Sequence, residues 1–139
     1  EREPLGPKRA VNHMLVHLVD EATREAHDFD ALLALAPKYG VFINRHTFEV
    51  DLFQSGLQEA FAKAMGDLGR SARAQKRMKD WAEKPETLDV EAFLKDIEGV
   101  GKGRFAQRLA SIIVESDLTH CPPYIVDGVK YVSSKCKHS

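Results

Sequence analysis

Residues 41–53 read Val41-Phe42-Ile43-Asn44-Arg45-His46-Thr47-Phe48-Glu49-Val50-Asp51-Leu52-Phe53, and the fold class turns on this stretch. Val41, Phe42 and Ile43 are β-prone and uniformly apolar, as in a short strand buried on both faces. From His46 to Phe53 polar and apolar residues alternate, which suits a strand, yet Thr47 also has the character of an N-cap, and a helix start is the favoured reading. Upstream, after the turn-forming Pro4-Leu5-Gly6-Pro7, apolar residues recur at helical spacing: Val11, Leu15, Leu18, Val19 and Ala22. Lys8, Arg9, Asp20 and Glu21 supply the wet side of one amphipathic helix. Asp28 or Asp30 can cap a second, short helix through Ala31, Leu32 and Leu35, which Pro37 and Gly40 end. A helix feeding a buried strand predicts an α/β fold with a parallel sheet.

Downstream the pattern is helical. Leu57, Phe61, Met65 and Leu68 form a stripe whose end is marked by Gly66 and Gly69. Residues 70–79 are one-sidedly basic, with Arg70, Arg73, Lys76, Arg77 and Lys79 and no acid among them, and Trp81 and Pro85 close the run. Thr87 or Asp89 can cap a helix with Val90, Phe93, Leu94 and Ile97, broken by Glu98-Gly99-Val100-Gly101-Lys102-Gly103. Phe105, Leu109, Ile112 and Ile113 mark the next helix. After Pro122-Pro123, Ile125, Val129 and Val132 mark the last, proline being welcome in a first helical turn. These changes divide the chain into an α/β core over 1–69, a basic helical segment over 70–98, and a glycine-rich turn with C-terminal helices packing back on the core over 99–139.

The chain has 139 residues, 43% hydrophobic and 29% charged, the mixture of one globular domain with a core of its own. Twenty basic and 21 acidic side chains leave a formal charge of −1, which excludes recruitment of nucleic acid by a global field and requires a local cluster instead. No apolar run approaches the ~20 residues of a bilayer span. Glu1-Arg2-Glu3-Pro4 lacks the apolar stretch of a signal peptide, so the chain is expected to be soluble and intracellular, without membrane partners. Cys121 and Cys136 are too few and too far apart for a zinc set or a disulfide framework and are expected to be free thiols. The first residue is Glu1 rather than methionine, so a fragment whose function needs upstream residues is expected.

Three places could carry chemistry. Glu49 and Asp51 directly follow the expected strand, where ligands and metals collect in open α/β sheets, and carboxylates suit hard cations such as Mg²⁺ or Mn²⁺. The bland alternative is strong: acids in a first helical turn complement the macrodipole by ~0.3–1 kcal/mol each. Residues two apart on a helix point to nearly opposite sides, so both acids serve one site only if the segment is extended. In Gly99-Val100-Gly101-Lys102-Gly103-Arg104, backbone amides freed by glycine lie at a helix N-terminus beside two cations, a place that attracts phosphate. Lys102 precedes Gly103, which excludes the nucleotide-binding P-loop. The same glycines resemble a helix-hairpin-helix turn, which cradles the DNA backbone without reading bases, and a plain interhelical turn with two exposed cations is the bland alternative. The basic run is ordinarily a solvated face, but without compensating acids at i+4 it gains from a polyanion. His13, His17, His27 and His46 include one i,i+4 pair without a third ligand nearby and are assigned to surface or boundary positions.

Two strings taken together are diagnostic: Thr47-Phe48-Glu49-Val50-Asp51-Leu52-Phe53, and Gly101-Lys102-Gly103-Arg104-Phe105-Ala106-Gln107-Arg108-Leu109 some distance on. They resemble the C-terminal region of OLD-family (overcoming lysogenization defect) nucleases, in particular the class whose Toprim domain is encoded near a helicase. The later Pro122-Pro123-Tyr124-Ile125 fits the same ending.

That resemblance implies an N-terminal ABC-type ATPase joined to a Toprim nuclease that cuts DNA with two divalent metals, Mg²⁺ or Mn²⁺, with Ca²⁺ as an inactive mimic. It implies a helix-rich partial Toprim (Rossmann-like) segment with a helical C-terminal extension. Of the family's metal-binding motifs, an early Glu motif and an Asp-x-Asp motif are absent here, and the Thr-hydrophobic-Glu motif is present, mapping Glu49, and secondarily Asp51, to metal coordination. The family's lysine maps to Lys102, beside the scissile phosphate, while Arg104, Arg73, Lys76 and Arg77 would position the DNA backbone. Glu1-Arg2-Glu3-Pro4 matches chain just beyond the missing Asp-x-Asp. Cations ~3.5–4 Å apart need more acids than these, so the chain alone is expected to be inactive. The implied partners are DNA, the N-terminal Toprim half and ATPase of a parent protein that forms a homo-oligomer, and a helicase; the implied setting is a bacterial-type cytoplasm.

Overall fold

The structure is a computed structural model that describes residues 5–69 and 71–136. Among the described residues all regular structure is helical and no strand is present, so the α/β expectation, and with it the partial Toprim segment, is overturned. Val41-Phe42-Ile43 explains why. The run is irregular, and the Val41 N–H donates to Ala36 O at 3.0 Å, with no neighbouring strand to form a ladder. Its apolar character serves a connector: Val41 is buried with Ala10, Val11, Leu15, Val19 and Ala36, and Ile43 packs against that cluster. Phe42 meets Tyr131 edge-on at 5.6 Å. A short apolar run records burial, and periodicity does not say in which conformation.

Packing divides the chain into two compact units. The first comprises residues 1–51 and 122–139, of which 5–51 and 122–136 are described. It opens with α1 (5–18), whose turns widen to the π type over Ala10–Leu15. The single helix expected through Ala22 is broken, because Val19 turns extended and Asp20 caps α2 (Glu21–Ala26), accepting the Thr23 N–H at 2.9 Å. Asp28 caps α3 (Phe29–Leu35) through the Ala31 N–H, also at 2.9 Å. A 3₁₀ turn, Ala36–Tyr39, follows and ends at Gly40, whose φ of 73° suits glycine. A Cβ at Gly40 would press on the Tyr131 ring. Thr47 begins α4 (Phe48–Leu52), its hydroxyl accepting from the Val50 N–H at 3.4 Å, so the helix start is where the sequence reading favours it.

The second unit is Leu52–Cys121. A kink at Gly56 (φ 109°) leads into α5 (Gln58–Leu68). Ser71 caps α6 (Ala72–Glu83) and Asp89 caps α7 (Val90–Val100). Gly101 alone separates α7 from α8 (Lys102–Glu115). The core is aromatic: Phe53 meets Phe61 at 5.5 Å and Phe93 at 5.1 Å, both edge-on, and Phe61 also meets Phe105 at 5.5 Å. Such pairs add ~0.5–1.5 kcal/mol each beyond area burial. Back in the first unit, Pro123 opens α9 (Pro123–Cys136) at its first position, where the last helix is expected, and Val129 and Val132 on it are exposed. The cuts after Asp51 and Cys121 follow packing, whereas the division at 69/70 and 98/99 follows charge and glycine content.

Candidate functional site

Glu49 and Asp51 sit in the first turn of α4 and belong to the first unit. Because the segment is helical, the two acids point to different sides. Asp51 is buried, 8% exposed, and its carboxylate turns back on the chain that precedes the helix. One oxygen accepts the Arg45 N–H at 2.9 Å and the other the His46 N–H at 3.2 Å. Asp51 therefore satisfies the backbone of the turn that starts α4, a structural role sufficient to explain its burial. Glu49 is half-buried. Among the described residues no three His, Cys, Asp or Glu side chains gather into a group that could hold a metal ion. The described residues thus do not by themselves fit a two-metal site. His13 and His17 form no such group either.

The basic candidates all lie in the second unit. Lys102 and Arg104 occupy the first turn of α8, which contains no acid. Cations there oppose the positive end of the helix dipole, an unfavourable placement that an anion would relieve. Lys102 Nζ lies 3.3 Å from Glu98 Oε1, four residues back across Gly101, and both side chains are more than half exposed. Arg104 is exposed. The glycines differ in kind: Gly99 and Gly103 lie within α7 and α8, and Gly101, at φ 98°, alone makes the turn. A Cβ at any of the three would meet open space, so it is backbone conformation at Gly101 that requires glycine.

The basic run is less uniform than its sequence suggests. Arg70 lies outside the described residues, as do Glu1, Arg2, Glu3 and Pro4. Arg73 and Lys79 are exposed. Lys76 pairs with Asp80 at 2.8 Å, and that hydrogen bond, reinforced by the carboxylate charge, holds its ammonium above the ordinary value. An acid therefore does stand at i+4 from Lys76, contrary to the expectation of an uncompensated face. Arg77 is committed to α7, its Nε donating to Asp96 Oδ2 at 3.1 Å and its Nη2 to Oδ1 at 2.5 Å. Bidentate pairing of this kind fixes geometry as well as charge. The Asp80 partner is readable from spacing alone, while Asp96, nineteen residues from Arg77, carries no local signal.

The diagnostic string 101–109 resolves into two sets. Phe105 and Leu109 point into the core. Arg108 Nε donates to Asp67 Oδ2 at 2.7 Å, tying α8 to α5, and Glu115 on its own helix lies 3.6 Å from Nη1. Lys102 and Arg104 are left outward at the start of the helix.

No family model matches the sequence, and no curated protein does. Solved structures do match. The C-terminal region of the Burkholderia pseudomallei OLD protein aligns over 97% of this chain with 32% identity and a TM-score of 0.79. That of the Xanthomonas campestris pv. campestris OLD protein, phased with mercury, aligns over 99% of this chain and 68% of its own length, with 31% identity and a TM-score of 0.72. The chain belongs to the OLD family. Within the Burkholderia OLD structure it spans 65% of that chain, so an OLD C-terminal region is longer than this sequence by about a third of its length. A second Xanthomonas OLD structure, phased with iodine, aligns over 93% of this chain with 28% identity. Among the described residues no helix is long and apolar enough to cross a membrane.

Proposed function

We propose that this chain is the helical C-terminal part of a Toprim-type, metal-dependent DNA endonuclease of the OLD family, inactive by itself and completed by the rest of its parent protein. The observation that carries this is the alignment of nearly the whole chain to OLD C-terminal regions. Lys102 is the proposed catalytic residue, its ammonium beside the scissile phosphate stabilising the charge that builds up as the ester is cleaved. Arg104 and Arg73 hold the neighbouring backbone phosphates, and Lys76 and Arg77 join them by exchanging Asp80 and Asp96 for phosphate oxygens. Glu49 is the carboxylate this chain offers to the divalent metals; the other ligands come from outside it, and Asp51 is spoken for by the Arg45 and His46 amides. The parent ATPase, an associated helicase, a homo-oligomeric parent and a bacterial cytoplasmic setting follow from the same family reading.

The test is nicking of supercoiled plasmid by the complete parent protein with Mg²⁺ or Mn²⁺. Lys102→Ala is expected to lower the rate by about 100-fold or more, with DNA affinity reduced far less. Unchanged nicking with weakened binding would remove Lys102 from catalysis. That outcome would favour the other reading, a non-catalytic DNA-binding module built round residues 99–103, which the one-residue Gly101 turn between α7 and α8 supports.

A further inference from the structure

The Gly101 turn joins two helix ends that each carry a charge of the wrong sign. Glu98 lies in the last turn of α7, which holds no basic residue, and Lys102 opens α8, whose first turn holds no acid. A carboxylate at the negative end of a helix and an ammonium at the positive end are each disfavoured by the helix that bears them. Gly101, at the N-cap of α8, has no side chain to accept from the first amides, so that end keeps its pull on anions. The two misplaced charges answer each other, Lys102 Nζ standing 3.3 Å from Glu98 Oε1 across the break.

The other ion pairs among the cations assigned to DNA also serve the fold. Lys76 and Asp80 lie within α6, where such pairs are ordinary helix support, and Arg77 with Asp96 ties α6 to α7. Glu98 and Lys102 span two helix ends that Gly101 already joins, so as a brace their pair adds little. With side chains 59% and 56% exposed, it is a pair that water and salt loosen readily.

We infer that Glu98 is a resident competitor for the DNA phosphate: its carboxylate holds the Lys102 ammonium while DNA is absent and gives it up when a backbone phosphate arrives. Carboxylate and phosphodiester offer an ammonium the same thing, an anionic oxygen that accepts a hydrogen bond, so one replaces the other by a swing of the lysine side chain. Glu98 thus acts through Lys102, as a positioning residue, and the strength of the pair is subtracted from the phosphate contact. The freed carboxylate stays in the complex and needs a cation of its own, so binding releases less salt than an uncompensated lysine would. The inference rests on the proposed placement of Lys102 at the DNA backbone, and it does not require Lys102 to be catalytic.

DNA binding by the complete parent protein tests it, read from the anisotropy of a fluorescein-labelled duplex over a series of KCl concentrations, without divalent metal so that DNA is bound and not cut. Glu98→Gln keeps the shape of the side chain and removes its charge. It is expected to tighten binding by roughly two- to fivefold, the worth of an exposed pair. It should also steepen the fall of log K with log[salt] by up to ~0.9, the share of one neutralised phosphate. In a Lys102→Ala background the same substitution should lose most of both effects. Unchanged or weaker affinity for Glu98→Gln, with Lys102→Ala still weakening binding, would overturn the inference and leave the placement of Lys102 standing. A gain of equal size with and without Lys102 would also overturn it, by showing plain repulsion between Glu98 and DNA. If Lys102→Ala itself leaves binding unchanged, the placement of Lys102 fails and the inference falls with it.

Discussion

The two units spend their apolar residues differently. Leu52–Cys121 turns Phe53, Phe61, Phe93, Phe105 and Trp81 inward onto one another, and ion pairs between α6 and α7 and between α8 and α5 hold the helices around them. The unit of residues 5–51 and 122–136 has a core of alanine, valine and leucine and keeps Met14, Leu18 and Val129 in water. One unit is built round interlocking aromatic rings, and the other packs small aliphatic side chains on one another.

The largest test of that contrast is Phe61→Ala. A fully buried phenylalanine removed from such a cluster costs ~3–5 kcal/mol, which would consume much of a small unit's stability. Trp81, the sole tryptophan, is buried in the same unit and reports its unfolding by fluorescence. The denaturant midpoint read there should fall sharply, while amide exchange at Val11 and Leu15 in α1, faster than that of α5 from the outset, changes little. Equal acceleration in both places would mean a single cooperative core and would break the contrast.

Legibility in the sequence follows the same line. The helices of the second unit are readable because their stripes, such as Leu57, Phe61 and Met65, are buried as local spacing dictates, and Asp89 caps where a cap is expected. Val41-Phe42-Ile43 misleads because a connector pressed between helices and a two-sided strand need the same residues. The break at Val19 is hidden for a related reason: the apolar residues continue past it and only Asp20, an acid among several, signals a new cap. Of the candidate site, the Gly101 turn and the outward Lys102 and Arg104 are legible from glycine and charge. The engagement of Asp51 with the Arg45 and His46 amides is not, since a carboxylate two residues from Glu49 looks equally suited to a metal.

A smaller effect is expected from Gly56→Ala, which probes how the second unit is entered. Alanine there must adopt a φ near 109°, a strained region costing ~1–3 kcal/mol, and its methyl would collide with the His120 ring. The stiffer unfolded chain returns ~0.4–1 kcal/mol, so the balance is destabilising. Repeating the substitution in a His120→Ala background removes the collision and leaves the backbone strain. A smaller loss there separates the two causes, and a neutral Gly56→Ala would show that the kink is not needed to close the aromatic core.

The smallest effect belongs to the first unit, at Asp20. Its carboxylate accepts the Thr23 N–H at 2.9 Å and the Thr23 hydroxyl at 2.8 Å, and these bonds, the backbone one foremost, hold the carboxyl below the ordinary aspartate value of about 3.9. A group whose folded pKa is depressed contributes fully above its unfolded value, and the contribution disappears as pH falls through the depressed one. Acidification should therefore fray the start of α2, with the Thr23 amide resonance titrating at a midpoint below that of a free aspartate. Asp20→Asn keeps an accepting oxygen without a proton to bind and should flatten this titration. Because the cap is exposed, Trp81 fluorescence in the other unit should not register the event at all; a midpoint at or above the free value, or a concerted change at Trp81, would remove Asp20 as a local brace of the aliphatic unit.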